Sequence, residues 1–300
     1  MHTYTRSWEH NGKKVIECGT CGYIHLYSKP SKEELTDFYQ NRYHSRFNYK
    51  AVDESFLEAQ KKTAANHFYY SGIYENVLRY LETDNRNMLD LGCGTDLIAV
   101  SFKGHGWNAY AVEPNTDACE YINKYGVKGY NCFIEDMCDL PKMAFINSYC
   151  VLEHVQEPME LLRTVSDLLD DGGIARIAVP NDFNDMHMAY MECCKKPPSW
   201  VSFPDHFNYF NHGSFERLLS KAGFEIIYKT TNFPLEMLLI SGVDYYSDEQ
   251  ARAKVGGIVS GFNNSFLSTG RKRELTGFYE TIAKGGYGRV IDVYAKKSGS

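Results

Sequence analysis

A chain of 300 residues with 43% apolar side chains is long enough to bury one large core with appendages. Its 38 acidic against 32 basic side chains, a formal net charge of −6, argue against a nucleic-acid or anionic-membrane partner, and no apolar run approaches the ~20 residues that span a bilayer. The start from His2 to Arg6 is polar rather than secretory, and nine cysteines scattered through apolar stretches suit reduced, buried thiols, so a cytoplasmic location is expected.

Residues 1–50 are short and mixed, with Cys18-Gly-Thr-Cys21-Gly as a knuckle between two strand-like pieces. Such a turn aims two thiolates at one point, but zinc takes four ligands, and no second Cys pair precedes this one. Only His2 and His10 lie upstream, with His25 just beyond. Ser31 and Glu34 form a capping box that predicts a helix from Lys32 to Asn41. Apolar positions from Phe56 to Leu81 predict a second helix over 53–81. Tyr43, His44, Phe47 and Tyr49 between them are candidate pocket residues.

The chain is organised around Asn87-Met-Leu-Asp90-Leu-Gly92-Cys-Gly94, which reads as strand, tight turn and helix start. The two glycines let the backbone turn and approach a ligand closely, and the helix N-terminus beyond favours negative groups. Asp96 stands where the third glycine of a dinucleotide fingerprint would be. One strand later, Val112-Glu113-Pro114 sets a carboxylate at a strand tip, where it can accept both hydroxyls of a ribose. Strand and helix alternate from here, which predicts an α/β fold with a doubly wound, mostly parallel sheet and strands near 88–91, 108–112, 130–133, 144–150 and 174–179.

Residues 183–213 read as an irregular connection rich in Met, Pro and aromatic side chains, followed by a helix over 214–222 and a strand over 224–228. A helical insertion spans 233–286, and the last strand and tail take up 287–300. The expected division is therefore 1–50, 51–85, a nucleotide-binding core over 86–232, the insertion, and the tail.

Leu-Asp-Leu-Gly-Cys-Gly, Val-Glu-Pro, Leu152-Glu-His-Val155, Gly172-Gly173 and Pro180-Asn181 follow one another as they do in class I S-adenosylmethionine-dependent methyltransferases, and the chain resembles that family over about 88–181. The resemblance implies a Rossmann-like methyltransferase fold. It also implies a cofactor site of Asp90, Gly92, Gly94, Glu113 and Tyr149, with Asp136 on the adenine amino group and the Met137 backbone N–H on a ring nitrogen. The N-terminal segment is similar to the end of the zinc ribbon that precedes bacterial sugar and other small-molecule methyltransferases. Since an earlier Cys-x-x-Cys completes the site in those relatives, Cys18 and Cys21 are read as a metal-free remnant, and zinc is not favoured.

Methyl transfer needs donor and acceptor at attack distance, and a hydroxyl acceptor also benefits from a base. His154 and His206 are the imidazoles expected on the ligand edge, whereas His212 is expected to be structural. The reading is methylation of a hydroxyl on a small molecule, a sugar, nucleotide-sugar or related metabolite. The alternatives are C- or N-methylation, or a non-catalytic cofactor-binding or scaffold protein in which Asp96 repels the methionyl carboxylate. Homo-oligomerisation through the N-terminal or inserted helices stays open.

Overall fold

The computed structural model describes residues 2–41, 52–137 and 139–299. Strands β1 (Tyr4–His10), β2 (Lys13–Cys18) and β3 (Ile24–Leu26) form an antiparallel sheet ahead of helices α1 (Lys32–Asn41), α2 (Glu54–Asn66) and α3 (Phe68–Tyr80). The helix predicted over 53–81 is thus two helices. His67 takes an extended backbone (φ −72, ψ 131) that ends α2 and caps α3, its ring accepting from the Tyr69 amide. Tyr43, His44, Phe47 and Tyr49 lie outside the described residues.

The core alternates β4 (Asn87–Leu91), α4 (Ile98–Gly104), β5 (Asn108–Val112), α5 (Thr116–Asn123), β6 (Lys128–Tyr130), β7 (Met143–Tyr149), α6 (Pro158–Leu168) and β8 (Leu169–Pro180). After β8 come α7 (Asp185–Cys194), β9 (Asn208–Tyr209), α8 (His212–Lys221), β10 (Phe224–Thr230), α9 (Leu235–Ile240), α10 (Glu249–Leu267), α11 (Lys272–Lys284) and β11 (Val290–Lys297). The large sheet runs β10-β11-β8-β7-β4-β5-β6. Strands β4 to β8 are parallel, and β11 and β10 close one edge antiparallel. The strands β4 and β7 are almost wholly buried, as expected where helices cover both faces. No helix among the described residues is long and apolar enough to cross a membrane.

Two features of the stretch after β8 differ from expectation. It contains α7, capped by Asn184, whose side chain accepts from the His187 amide at 3.0 Å. Its Trp200, Phe207 and Tyr209 are buried with Val15, Ile24 and Leu26 of the N-terminal sheet. They therefore pack a second core, which an irregular surface connection would not. Strand β9 pairs with β3 (His25 opposite Asn208), so the N-terminal sheet takes its fourth strand from the far side of the chain.

The parallel register sets Asp90, Asn147 and Arg176 side by side on β4, β7 and β8. All three are buried. Asn147 Nδ2 donates to Asp90 Oδ1 at 2.6 Å, Arg176 Nη1 donates to Asn147 Oδ1 at 2.9 Å, and Arg176 Nη2 meets Asp292 Oδ2 of β11 at 2.6 Å. Tyr69 of α3 accepts a further bond from Arg176 at 3.1 Å. Removing one member of a buried pair strands the other charge at a typical cost of about 3–5 kcal/mol. Asp292→Ala should lower stability by that amount in urea unfolding, whereas unpairing the exposed Lys61 and Glu58 should leave the midpoint nearly unchanged.

Candidate active site

The strand order reverses at β4, whose neighbours β5 and β7 leave in opposite directions, and open α/β sheets bind ligands at the carboxyl ends of such strands. Gly92 turns here with φ +63, and a Cβ on it would lie 2.9 Å from Val151 Cγ2. Two hollows flank this turn. One is lined by Tyr39, Glu113, Phe133, Ile134, Glu135, Val151 and Gln156 among others. The other, of about 520 Å³, is lined by Tyr70, Asp90, Gly94, Asp96, Tyr149 and His206 among others. Gly92, Cys150 and His154 border both.

Glu113 is buried at the tip of β5, where its two oxygens accept from the amides of Gly94 and Asn115, each at 2.9 Å. A carboxylate has about four acceptor positions, so both oxygens retain capacity for ribose hydroxyls. Asn115 also donates to the Tyr39 carbonyl at 2.8 Å, which fixes α1 as a roof over the first hollow. Asp90 forms the floor of the second hollow. Burial, and then the nearby Asp96 charge, raise its carboxyl to about 7.

Asp96 borders the second hollow and binds the first amides of the helix that follows. Its Oδ1 accepts from the amides of Leu97 and Ile98 at 2.6 and 3.1 Å, so it occupies the exposed amides at the start of α4. Burial raises its pKa, and the Arg176 charge opposes that rise.

The adenine-side expectations fare differently. Asp136 ends a 3₁₀ turn (Ile134–Asp136) and pairs with Lys32 at 3.4 Å on the surface, while the preceding Glu135 lines the hollow. The Met137 amide donates to the Ile134 carbonyl at 3.3 Å.

His154 and His206 are brought together, with ring centroids 4.7 Å apart and edge to face. His154 Nδ1 meets the Asp205 carbonyl at 2.7 Å, and since a carbonyl only accepts, the proton sits on Nδ1. Burial lowers the His154 pKa to about 3, with the His206 charge adding to the effect. Burial also lowers that of His206, although Asp205 opposes it. Both imidazoles are therefore neutral. The buried Glu153 beside them is raised to about 8, chiefly by burial, and is largely protonated near neutrality. His212 begins α8 under the Asn211 cap and lies outside both hollows.

A separate cavity of about 620 Å³ lies under the insertion, lined by Tyr69, Tyr228, Asn263, Tyr279 and Asp292 among others, and it meets the 520 Å³ hollow only at Tyr149. The hollow with His206 and the cavity under the insertion are thus two spaces. Sequence reasoning also missed Asn147 and Arg176, which carry no motif and become a pair only through strand register. At the N-terminal sheet, His2 and His25 sit beside Cys18 and Cys21.

A family profile described as a methyltransferase domain matches residues 65–229, more than half of the chain. No curated protein matches it. Among solved structures, the 1,6-didemethyltoxoflavin-N1-methyltransferase of Burkholderia thailandensis, bound to 1,6-didemethyltoxoflavin and S-adenosylhomocysteine, is similar over 98% of this chain and 100% of that one, at 12% identity and TM-score 0.52. A SAM-dependent methyltransferase of Archaeoglobus fulgidus matches over 82% of this chain and 100% of that one, at 17% identity and TM-score 0.48. Another from Thermotoga maritima, described as a possible histamine N-methyltransferase, matches over 59% of this chain and 81% of that one, at 20% identity and TM-score 0.42. At 12% identity, the likeness to the Burkholderia enzyme shows the shared Rossmann-like fold alone. The matched domain, with the glycine turn at the sheet's switch point, makes this chain a member of the S-adenosylmethionine-dependent methyltransferase family.

Proposed function

We propose that the protein methylates a hydroxyl group of a small polar molecule, of the sugar or nucleotide-sugar class, with His206 as the base. The observation that carries this reading is the neutral imidazole pair on the wall of the hollow that also contains Gly92, Gly94 and Asp90. S-adenosylmethionine supplies an electrophilic methyl group on a sulfonium. Its adenosyl part suits the first hollow, with Glu113 on the ribose hydroxyls, Tyr39, Phe133 and Val151 against the purine, and Glu135 rather than Asp136 near the amino group. Its methionyl part suits the floor of Asp90 and the glycine turn, with Tyr149 beside the methyl.

His206 takes the hydroxyl proton as the acceptor oxygen attacks the methyl carbon and the carbon–sulfur pair leaves with sulfur. His154, tied to the Asp205 carbonyl, orients the second ring. Tyr70, Asp205 and Tyr149 add donors and acceptors suited to a polyhydroxylated molecule.

Glu113→Ala should weaken S-adenosylmethionine binding by roughly 1–3 kcal/mol in calorimetry, the scale for hydrogen bonds to a charged group. Unchanged affinity in the folded variant would remove Glu113 from the site.

His206→Ala should cut turnover by about 10²-fold or more while leaving cofactor affinity nearly unchanged, in line with general-base contributions of roughly 10²–10⁴-fold. The base works in its neutral form, and its pKa in the folded protein lies below the ordinary 6.5. Lowering the pH from about 8 to 6.5 should therefore leave the His206 form active, with its acid limb in kcat/KM falling below 6.5. Full activity of His206→Ala would favour an acceptor that needs no base.

A further inference from the structure

We infer that His2, Cys18, Cys21 and His25 form a tetrahedral zinc site that staples the N-terminal sheet beside the wall carrying His206. Their four donor atoms all lie within 4.8 Å of one another. Zinc bonds of about 2.3 Å to sulfur and 2.0–2.1 Å to nitrogen imply donor-to-donor edges of roughly 3.4–3.8 Å, so small adjustments close the tetrahedron. His2 Nδ1 already lies 3.2 Å from Cys18 Sγ and 3.4 Å from Cys21 Sγ.

The second histidine points to a ligand independently. His25 is only 3% exposed, and its Nδ1 lies 2.7 Å from the Leu26 carbonyl. That carbonyl can only accept, so the proton is on Nδ1 and the lone pair is on Nε2. Nε2 is buried with no hydrogen-bond partner. A ligating histidine typically shows this arrangement, with one nitrogen fixed by a backbone carbonyl and the other free for metal. An acceptor left bare in the interior is otherwise costly.

The knuckle is preset in the same sense. Gly22 has φ +80 and its amide donates to the Cys18 carbonyl at 2.9 Å, while the Cys21 amide points at Cys18 Sγ at 3.3 Å. Both thiols are free. Two thiolates and two neutral imidazoles balance the charge of Zn²⁺, and a tetrahedral S₂N₂ set selects zinc over harder cations. The site joins the chain start, the end of β2 and β3, and β3 is paired through His25 with Asn208, two residues after His206.

The test is elemental analysis of the tag-free chain expressed with zinc, followed by cobalt exchange. About one zinc per chain is expected, and cobalt should give the visible bands of a tetrahedral thiolate site. His2 is exposed, so His2→Ala should fold. It should weaken zinc binding by more than the roughly 10–100-fold that follows loss of a hydrogen-bond partner to a ligand. Trace zinc only, with no cobalt band in the reduced protein, would overturn the site. So would undiminished zinc in the Cys18→Ser/Cys21→Ser variant, or unchanged affinity in His2→Ala. None of these outcomes depends on methyl transfer, so the proposal stands or falls apart from the assigned reaction.

Discussion

The buried line of Asp90, Asn147, Arg176 and Asp292 is the constraint on which the rest of the site depends. It crosses four neighbouring strands of the large sheet; Asp90, Asn147 and Arg176 bond at matching register, and Arg176 then reaches diagonally to Asp292, which stands opposite Ala178. A guanidinium this deep is tolerable only with its partners in place. The line therefore fixes the relative heights of β4, β7, β8 and β11, and with them the points where the chain leaves the sheet. Gly92 leaves from β4 and Cys150 from β7, and these two exits border both hollows. The same line holds Asp90 beneath the glycine turn, where the Asn147 bond and the Arg176 charge oppose the rise in its pKa that burial and Asp96 cause, and it brings the Arg176 charge near Asp96.

Four histidines show how burial alone does not define a role. His187 is stacked on Trp200 at 3.8 Å and is enclosed beside Glu236 and Arg289, so its ring serves packing. His212 is buried under a helix cap. His154 and His206 are also desolvated, but they open onto the hollow at the glycine turn. Their neutrality is what a base needs near neutral pH. The location at the sheet's switch point distinguishes them, not their individual pKa values.

Much of this was legible in the sequence because it is local. The Gly92 turn, the acid at the β5 tip, the capping box at Ser31 and the strands of the parallel sheet each follow from a short pattern of side chains. The α1 bounds agree with the structure. What escaped depends on contacts between distant segments. The break at His67 lets α2 and α3 take separate directions, and α7 carries its hydrophobic face into a core shared with the N-terminal sheet. Asp136 lies in a 3₁₀ turn with Glu135, and of the two it is Glu135 that lines the first hollow. His2 and His25 have no spacing motif with Cys18 and Cys21, and the β-sheet alone brings them together.

The central claim is that the cofactor straddles Gly92, with its adenosyl group under Tyr39 and its sulfur facing His206. An experimental structure of the S-adenosylhomocysteine complex tests it most directly. The account predicts ribose hydroxyls on Glu113 and the sulfur in the hollow bounded by Asp90, Tyr149 and His206. A cofactor lying instead in the cavity between α3 and the inserted helices, with Glu113 still bonded only to the Gly94 and Asn115 amides, would contradict it.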